Sequence, residues 1–561
     1  MDYRERLRQW MEDPAIDEKE KEELKGLDEK ELEDRFYRDL EFGTAGLRGH
    51  LGAGTNRMNE VIIKRASCAL GKVVARGGEE AKERGVMIAY DVRRMSREFA
   101  HITARVLAAM GIRALVTEDI RPTPLLAFGV RHYHTKAGVM VTASHNPKND
   151  NGYKVYWEEG SQILEDKANE ILAALEETPV GEVTLADWDE AVEKGLIRLV
   201  GKELDDAYDA VTLPKALTDD VDFSTPIVYT PLHGTGNIPV RRILKARGFE
   251  NIIVVKEQEN PDGTFPTIDY PNPEDSRAFA CALPYAKEHH ADLILATDPD
   301  SDRLAAMIPT PEGEWLPLNG NQMGAMLIAY ILERLKEQDA IPGDGAVVKS
   351  VVTGDFGRVI AESYGVATFE TLTGFKNICD LPNQWDKDQE QTFIFGYEES
   401  IGYVYGDQVR DKDAVISAMI FAEMCAFEKK RGRSLYAFLE DLYTTYGYYR
   451  EKLVSLVREG IEGKAEIEGW MRSVREEPMV HVADMEVVEV LDYKDGVLGL
   501  PKTNLLKYRL LDGSWFALRP SGTEPKLKLY VYAVDPDRAR AEEKVEAITK
   551  AILSRLEGKD R

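Results

Sequence analysis

Apolar runs of strand length recur along this chain, and each ends in a polar or glycine-bearing loop. They are "GVMIAYD" (85–91), "AGVMVTASHNP" (137–147), "TPIVYTPLHGTG" (225–236), "ADLILATDPDSDR" (291–303), "GAVVKSVVTGD" (345–355) and "TFIFGYEES" (392–400). Helical patterns separate them, such as "REFAHITARVLAAMG" (97–111) and "IPVRRILKARG" (238–248). Buried apolar strands alternating with helices predict parallel sheets covered on both faces. In such sheets ligands sit beyond the carboxyl ends of the strands, where these polar loops fall. Residues 1–40, rich in Glu, Lys, Arg and Leu, read as a helical extension with solvated faces. From about 455 the pattern changes. "EVVEVLDYKDG" and "LKLYVYAV" alternate apolar and polar positions, and a helical stretch, "ARAEEKVEAITKAILSRL", follows. That predicts a separate α+β domain after repeated α/β units.

A chain of 561 residues is too long for one ordinary core and implies about three to four domains. The formal net charge of −27 disfavours a nucleic-acid or anionic-membrane partner. An anionic substrate would therefore have to be held by local clusters of Lys and Arg. Cys68, Cys281, Cys379 and Cys425 lie far apart with no C-x-x-C spacing, so neither a zinc site nor a disulfide framework is indicated. The N-terminal stretch is highly charged and lacks the apolar centre of a signal peptide. No run approaches the ~18–20 apolar residues of a membrane span. These features predict a cytoplasmic protein.

"TASHNP" (142–147) sets Ser144 beside His145. A Ser-His pair suggests a hydrolase, but successive side chains of an extended segment point to opposite sides, so these neighbours are not expected to share a proton. The G-x-S-x-G setting of a hydrolase elbow is also missing. "DPDSDR" (298–303) places Asp298, Asp300 and Asp302 at alternate positions directly after a strand. Three carboxylates this close repel one another unless a cation neutralises them, and hard divalent ions prefer such oxygen ligands. An acidic surface turn is the plainer alternative. An EF-hand does not fit, since Arg303 and Pro309 stand where Gly and Glu are required. A strand-end triad with Arg303 adjacent suits Mg²⁺ holding a phosphorylated group. "RPSGTEPK" (519–526) offers the planar fork of Arg519 and the hydroxyls of Ser521 and Thr523. Gly522 there lets backbone N–H groups turn inward on an anion. A simple turn before the next strand would read the same way. "YEES" (397–400) supplies Glu398, Glu399 and Ser400 for sugar hydroxyls.

In this order, "TASHNP", "DPDSDR", "GYEES" and "RPSGTEP" resemble the four signature loops of the α-D-phosphohexomutase superfamily, starting from "FGTAGLRG" (42–49). "DRFYRDLEFGTAGLRG" and "GYEESIGY" are similar to its phosphoglucomutase/phosphopentomutase group. The resemblance implies three similar α/β domains with mixed, mostly parallel sheets and a C-terminal α+β domain around a central cleft. The expected divisions are an extension (1–40), a phosphoserine domain (41–210), a metal-loop domain (211–325), a sugar-loop domain (326–452) and a phosphate-loop domain (453–561). It also implies interconversion of glucose 1-phosphate and glucose 6-phosphate, with glucose 1,6-bisphosphate as intermediate and activator. Ser144 would carry the phosphoryl group, with Mg²⁺ between it and Asp298, Asp300 and Asp302. Arg48 of "GLRG" would face the phosphoserine, and His145 would orient its loop. Lys154 of "NGYKVY" and Lys412 of "RDKDA" match the family's acid–base candidates, and a base requires a lowered pKa. Arg303, Lys376 of "TGFKN", Glu398, Ser400, Arg519, Ser521, Gly522 and Thr523 would bind substrate. His233 of "PLHGTG" and the "RPTP" turn (121–124) resemble loops lining the cleft. The implied partner is a small phosphosugar, with neither nucleic acid nor membrane, and the chain a monomer or homodimer. Pentose or mannose phosphates remain alternative substrates. A non-catalytic phosphosugar-binding relative is a third reading, against which the intact Ser144, triad and lysine pair argue.

Overall fold

The computed structural model describes residues 2–43, 46–458, 460–521 and 525–558. Its strands form four sheets. In the first, the order is Leu47–His50, Asp150–Trp157, Ala137–Val141, Val86–Tyr90, Ala114–Thr117, Ile197–Val200. The last three pairings are parallel and the first two antiparallel. Strand Val86–Tyr90 is buried throughout. Val86, Ile88 and Tyr90 join one apolar core while Met87 and Ala89 join another, as period-two alternation between two helix-covered faces requires. The second sheet runs Trp315–Leu318, Leu304–Pro309, Leu293–Thr297, Ile227–Thr230, Ile252–Val254, and the third Ala367–Thr371, Gly345–Ser350, Thr392–Glu398, Gly402–Tyr405. The fourth sheet is antiparallel throughout. Helices Gly460–Glu476 and Arg538–Leu556 cover one face of it. Its other face, through Trp515, Tyr530 and Tyr532, buries Val351 and Val352 of the third unit.

One topological detail differs from the simple strand–helix alternation. "TASHNP", "DPDSDR" and "YEES" each lead from a strand into an antiparallel neighbour and not into a helix. Each turn contains a non-glycine residue with a left-handed backbone: Ser144 (φ 51°), Ser301 (φ 51°) and Ile401 (φ 54°). The three units thus present their chemistry from the same place in the fold. Three expected divisions, at 210, 325 and 452, fall inside helix Lys202–Thr212, helix Gly320–Glu337 and strand Tyr448–Val457. We propose that the latter two lie at the turns before their elements.

The extension forms helices Tyr3–Glu12, Glu18–Leu24 and Glu29–Phe36. Trp10, Ile16, Leu24 and Phe36 close a small core on Ala53 and Val61 of the first unit. Arg35 stitches it down with hydrogen bonds to Glu23 (2.6 Å) and the Ala53 carbonyl (3.1 Å). Beside this seam, burial pushes the Glu20 carboxyl up to about 7, with Glu23, Glu60 and Asp17 adding to the effect and Lys64 opposing it. A raised carboxyl contributes its stability below its ordinary value of 4.5 and loses it as pH rises through about 7. Glu20→Gln should therefore stabilise the protein at pH 8 by about 1 kcal/mol after solvent screening. The gap to wild type should close by pH 5. Melting curves at the two pH values check this, and a gap independent of pH would contradict it.

Candidate active site

The turn after strand Ala137–Val141 is shaped by hydrogen bonds to its backbone. Thr142 Oγ1 donates to Asp91 Oδ2 (2.6 Å) and accepts the Ser144 N–H (2.8 Å). Arg93, fully buried at its side chain, donates to the carbonyls of Ser144 (2.6 Å), Pro147 (2.8 Å) and Asp150 (3.1 Å), and also to that of Asn146. Its Nε lies 3.5 Å from Asp91 Oδ2. A left-handed serine costs about 1–2 kcal/mol, and this clamp holds Ser144 in that conformation. The consequence overturns one expectation. Because Ser144 is not extended, its Oγ lies 3.3 Å from His145 Nδ1. No hydrolase dyad results, since Arg303 Nη1 occupies the same ring nitrogen. Burial, then Arg303 and Arg48, push the imidazole pKa well below its usual range, so the ring is neutral.

Ser144 Oγ also donates to Asp298 Oδ2 (2.8 Å), which joins the first unit to the acidic turn of the second. Asp298, Asp300 and Asp302 are buried, and their ligand oxygens lie within 4.8 Å of one another. Asp300 accepts from Thr123 Oγ1 of the "RPTP" turn and from Lys154 Nζ, both at 2.8 Å. Lys412 Nζ lies 3.2 Å and Lys154 Nζ 3.7 Å from Asp302 Oδ2. Burial, followed by the charges of Asp300 and Asp302, drives Asp298 well above the carboxylate range. Burial pushes Asp300 the same way, but Lys154 outweighs it and holds this carboxyl low. Asp300 Oδ1 and Asp302 Oδ1 are buried with no hydrogen-bond partner among the described residues. Orphaned carboxylate oxygens in a tight acidic set are the donors a hard divalent cation takes, so the residues present fit such an ion.

The loop "PLHGTG" backs this turn. A Cβ on Gly234 would lie 2.6 Å from Pro299 Cα, which is why only glycine fits. His233 does not face the cleft. Its ring nitrogens lie 3.2 Å from the Asn260 carbonyl and 2.9 Å from Thr267 Oγ1, so it holds a loop of its own unit.

From the third unit, buried Glu398 is bonded by Ser400 and lies close to Lys412 and Arg303. Burial would lower the Lys412 pKa, but Asp302, Asp411 and Glu398 outweigh it and raise it above the ordinary lysine value. The lowered pKa expected of a base is thus not found at Lys412. It occurs at half-buried Lys376, where burial brings the ammonium down to about 8 against the opposing charge of Glu165. Arg48, on strand Leu47–His50, keeps its side chain open to solvent and donates to Asn146 Oδ1 of the serine turn (3.2 Å). In the C-terminal domain, Arg519 ends strand Trp515–Pro520 opposite Lys528 and hydrogen-bonds Tyr530. The Ser521 N–H closes the turn on the Lys526 carbonyl (2.7 Å). Gly522 and Thr523 lie outside the described residues. Burial and Arg519 lower the pKa of Lys528, a second cation that the motif reading did not single out.

Three like α/β units and a lid, converging on one serine and one acidic turn, define an α-D-phosphohexomutase architecture. Profiles described as phosphoglucomutase/phosphomannomutase α/β/α domains I, II and III match residues 39–180, 209–312 and 319–446, and the C-terminal domain matches 471–550. A phosphoglucomutase of Staphylococcus haemolyticus (strain JCSC1435) is 34% identical over 512 residues, covering 89% of this chain and 91% of that protein. The chain belongs to the phosphoglucomutase/phosphomannomutase family. Among solved structures, the open form of pp63/parafusin, a Paramecium phosphoglucomutase, superposes with a TM-score of 0.68 at 16% identity, over 93% of this chain and 96% of that one. An Aspergillus fumigatus N-acetylphosphoglucosamine mutase in complex with GlcNAc-6P and magnesium gives 0.51 at 13% identity, over 92% and 96%.

The sequence reading missed Arg93 and Asp91. The signal available was an Asp at the carboxyl end of a buried strand, in "AYDVRR". Arg93→Lys keeps a charge beside Asp91 but cannot reach several carbonyls at once. It should lower kcat about a hundredfold, the scale of a displaced reacting group, with the melting temperature little changed. Wild-type kcat in this variant would show the clamp to be dispensable.

Proposed function

We propose that this protein is a phosphoglucomutase that interconverts glucose 1-phosphate and glucose 6-phosphate through a phosphoserine at Ser144, with glucose 1,6-bisphosphate as the exchanged intermediate and activator. The observation that carries the proposal is the bond from Ser144 Oγ to Asp298 inside a buried triad in which Asp300 Oδ1 and Asp302 Oδ1 have no hydrogen-bond partner among the described residues. The family and the 34% identical phosphoglucomutase support it. The proposal extends to a cytoplasmic setting, consistent with four free cysteines.

Asp298, Asp300 and Asp302, with Ser144, would hold Mg²⁺, which supplies positive charge to the oxygens of a transferring phosphoryl group. Lys154 of the first unit and Lys412 of the third, both beside Asp302 Oδ2, would exchange a proton with a sugar hydroxyl. Arg303 and Arg48 add positive charge beside the phosphoserine, and His145 links Arg303 to Ser144. Glu398 and Ser400 would accept from and donate to sugar hydroxyls. Lys376, Arg519, Ser521, Gly522 and Thr523 would hold the phosphate that is not being transferred. That remote grip orients the substrate and favours closure, which excludes water.

Ser144→Ala removes the phosphoryl carrier, and a coupled assay should show turnover falling by several orders of magnitude. Wild-type turnover would refute the mechanism. Thorough chelation should abolish activity, with recovery on adding Mg²⁺. Arg519→Ala should raise KM and lower kcat together, and Arg519→Lys should restore only part, because a point charge lacks the fork. Kinetics near wild type for Arg519→Ala would remove the C-terminal turn from the site. The same assay run against glucose, mannose and ribose 1-phosphates should favour glucose.

A further inference from the structure

Besides the motif loops, the second unit sends residues 260–275, "NPDGTFPTIDYPNPED", across to the serine turn. This segment is pinned along its length. His233 holds it at Asn260 and Thr267, and the Asp262 N–H donates to the His233 carbonyl (3.0 Å). Gly263 sits so close to the first unit that a Cβ there would lie 2.4 Å from the Val92 carbonyl oxygen. Buried Phe265 lies against Arg93, whose Cζ is 5.2 Å from the ring centroid. The segment therefore braces the residue that clamps the serine turn, and its later part is held in register with that turn.

At that later part, the Tyr270 ring meets the His145 ring edge to face, with centroids 5.9 Å apart and planes at 88°. This is a favourable aromatic geometry. The Asn272 N–H donates to the Tyr270 carbonyl (2.8 Å), which fixes the bend between Pro271 and Pro273. Among the described residues, Asp298 and His145 are the side chains hydrogen-bonded to Ser144 Oγ. Asp298 is fully buried, but His145 is only half-buried, and Tyr270 is the aromatic ring set against it. Tyr270 is itself 37% exposed, so its free side opens to solvent. A large apolar ring thus stands between solvent and the neighbour of the reacting oxygen.

We propose that Tyr270 is a shielding residue of the phosphoserine: its ring, held against His145, keeps water from the phosphoryl group on Ser144 and so sets how that group divides between a sugar hydroxyl and water. The inference rests on the phosphoserine reading above. In the side reaction it suppresses, a water oxygen attacks phosphorus and the P–Oγ bond breaks. The leaving Ser144 Oγ takes the proton lost by the water, and inorganic phosphate departs. In the mutase reaction, the bound sugar delivers its hydroxyl to the same phosphorus. Tyr270 touches His145, not the reacting atoms, so its effect is on partition. Truncation should loosen the wall more than it impairs transfer.

The test uses full-length protein, phosphorylated with radiolabelled glucose 1,6-bisphosphate, freed of excess label and held in Mg²⁺ buffer without sugar. Tyr270→Ala and the equally small Tyr270→Ser should release inorganic phosphate about tenfold faster than wild type. They should also need more bisphosphate activator to sustain turnover. Tyr270→Phe, which keeps the ring, should release it at the wild-type rate. Release from both truncations at the wild-type rate would overturn the inference, as would fast release from the phenylalanine variant. A wild-type protein that takes up no label on Ser144 would overturn the phosphoserine reading, and the inference with it.

Discussion

Two negative charges separated by the 4.8 Å that bounds the Asp298–Asp300–Asp302 oxygens repel by about 3–4 kcal/mol even at an effective dielectric constant near 20. This buried turn can exist only if its surroundings supply positive charge, and each of the three α/β units does so. Lys154 comes from the first unit, the Arg303 guanidinium beside Asp302 from the second and Lys412 from the third. Thr123 and Ser144 add neutral donors. The electrostatic demand of one turn therefore fixes how three units face one another. It also gathers, around a serine hydroxyl, cations that a protein with a net charge of −27 would otherwise not present to an anionic substrate.

The lid is joined to this arrangement through the third unit. Lys507 of the C-terminal domain, fully buried over Trp515, donates to the Val351 carbonyl (2.8 Å). Ser350 and Thr353, which flank that carbonyl, donate to Glu399 between the two sugar-loop residues Glu398 and Ser400. The contact that seats the lid is thus two steps from the residues proposed to grip the sugar. Burial pulls the Lys507 ammonium down to about 8, with Glu370 opposing, so the seat depends on the carboxylates around it as well as on apolar packing.

What the sequence makes legible is what depends on residue type. A triad of Asp after a buried strand, a lone Ser in a polar turn and an Arg-Ser-Gly-Thr turn carry their chemistry in their side chains, and the apolar runs between them locate the strands. What it does not make legible depends on backbone geometry and on partners far away in the chain. Arg93 acts by binding carbonyl groups, which no residue pattern records. The contact between Ser144 and His145 needs a left-handed serine, a conformation imposed by the Arg93 and Thr142 bonds and not by serine itself. His233 looks like a cleft ligand in "PLHGTG" until its two partners are seen to come from its own unit. The lysine pKa values were misjudged for a related reason. Lys412 is surrounded by carboxylates from several loops, whereas at half-buried Lys376 burial outweighs the opposing charge of Glu165.

The central claim is that the serine and the acidic turn form one cation-linked phosphoryl site. Anomalous scattering from crystals of the phosphorylated protein grown with Mn²⁺ in place of Mg²⁺ tests it most directly. The account predicts one strong peak among Asp298, Asp300 and Asp302, in contact with a phosphoryl group borne by Ser144. A peak elsewhere, or a phosphorylated Ser144 turned away from the ion, would contradict it.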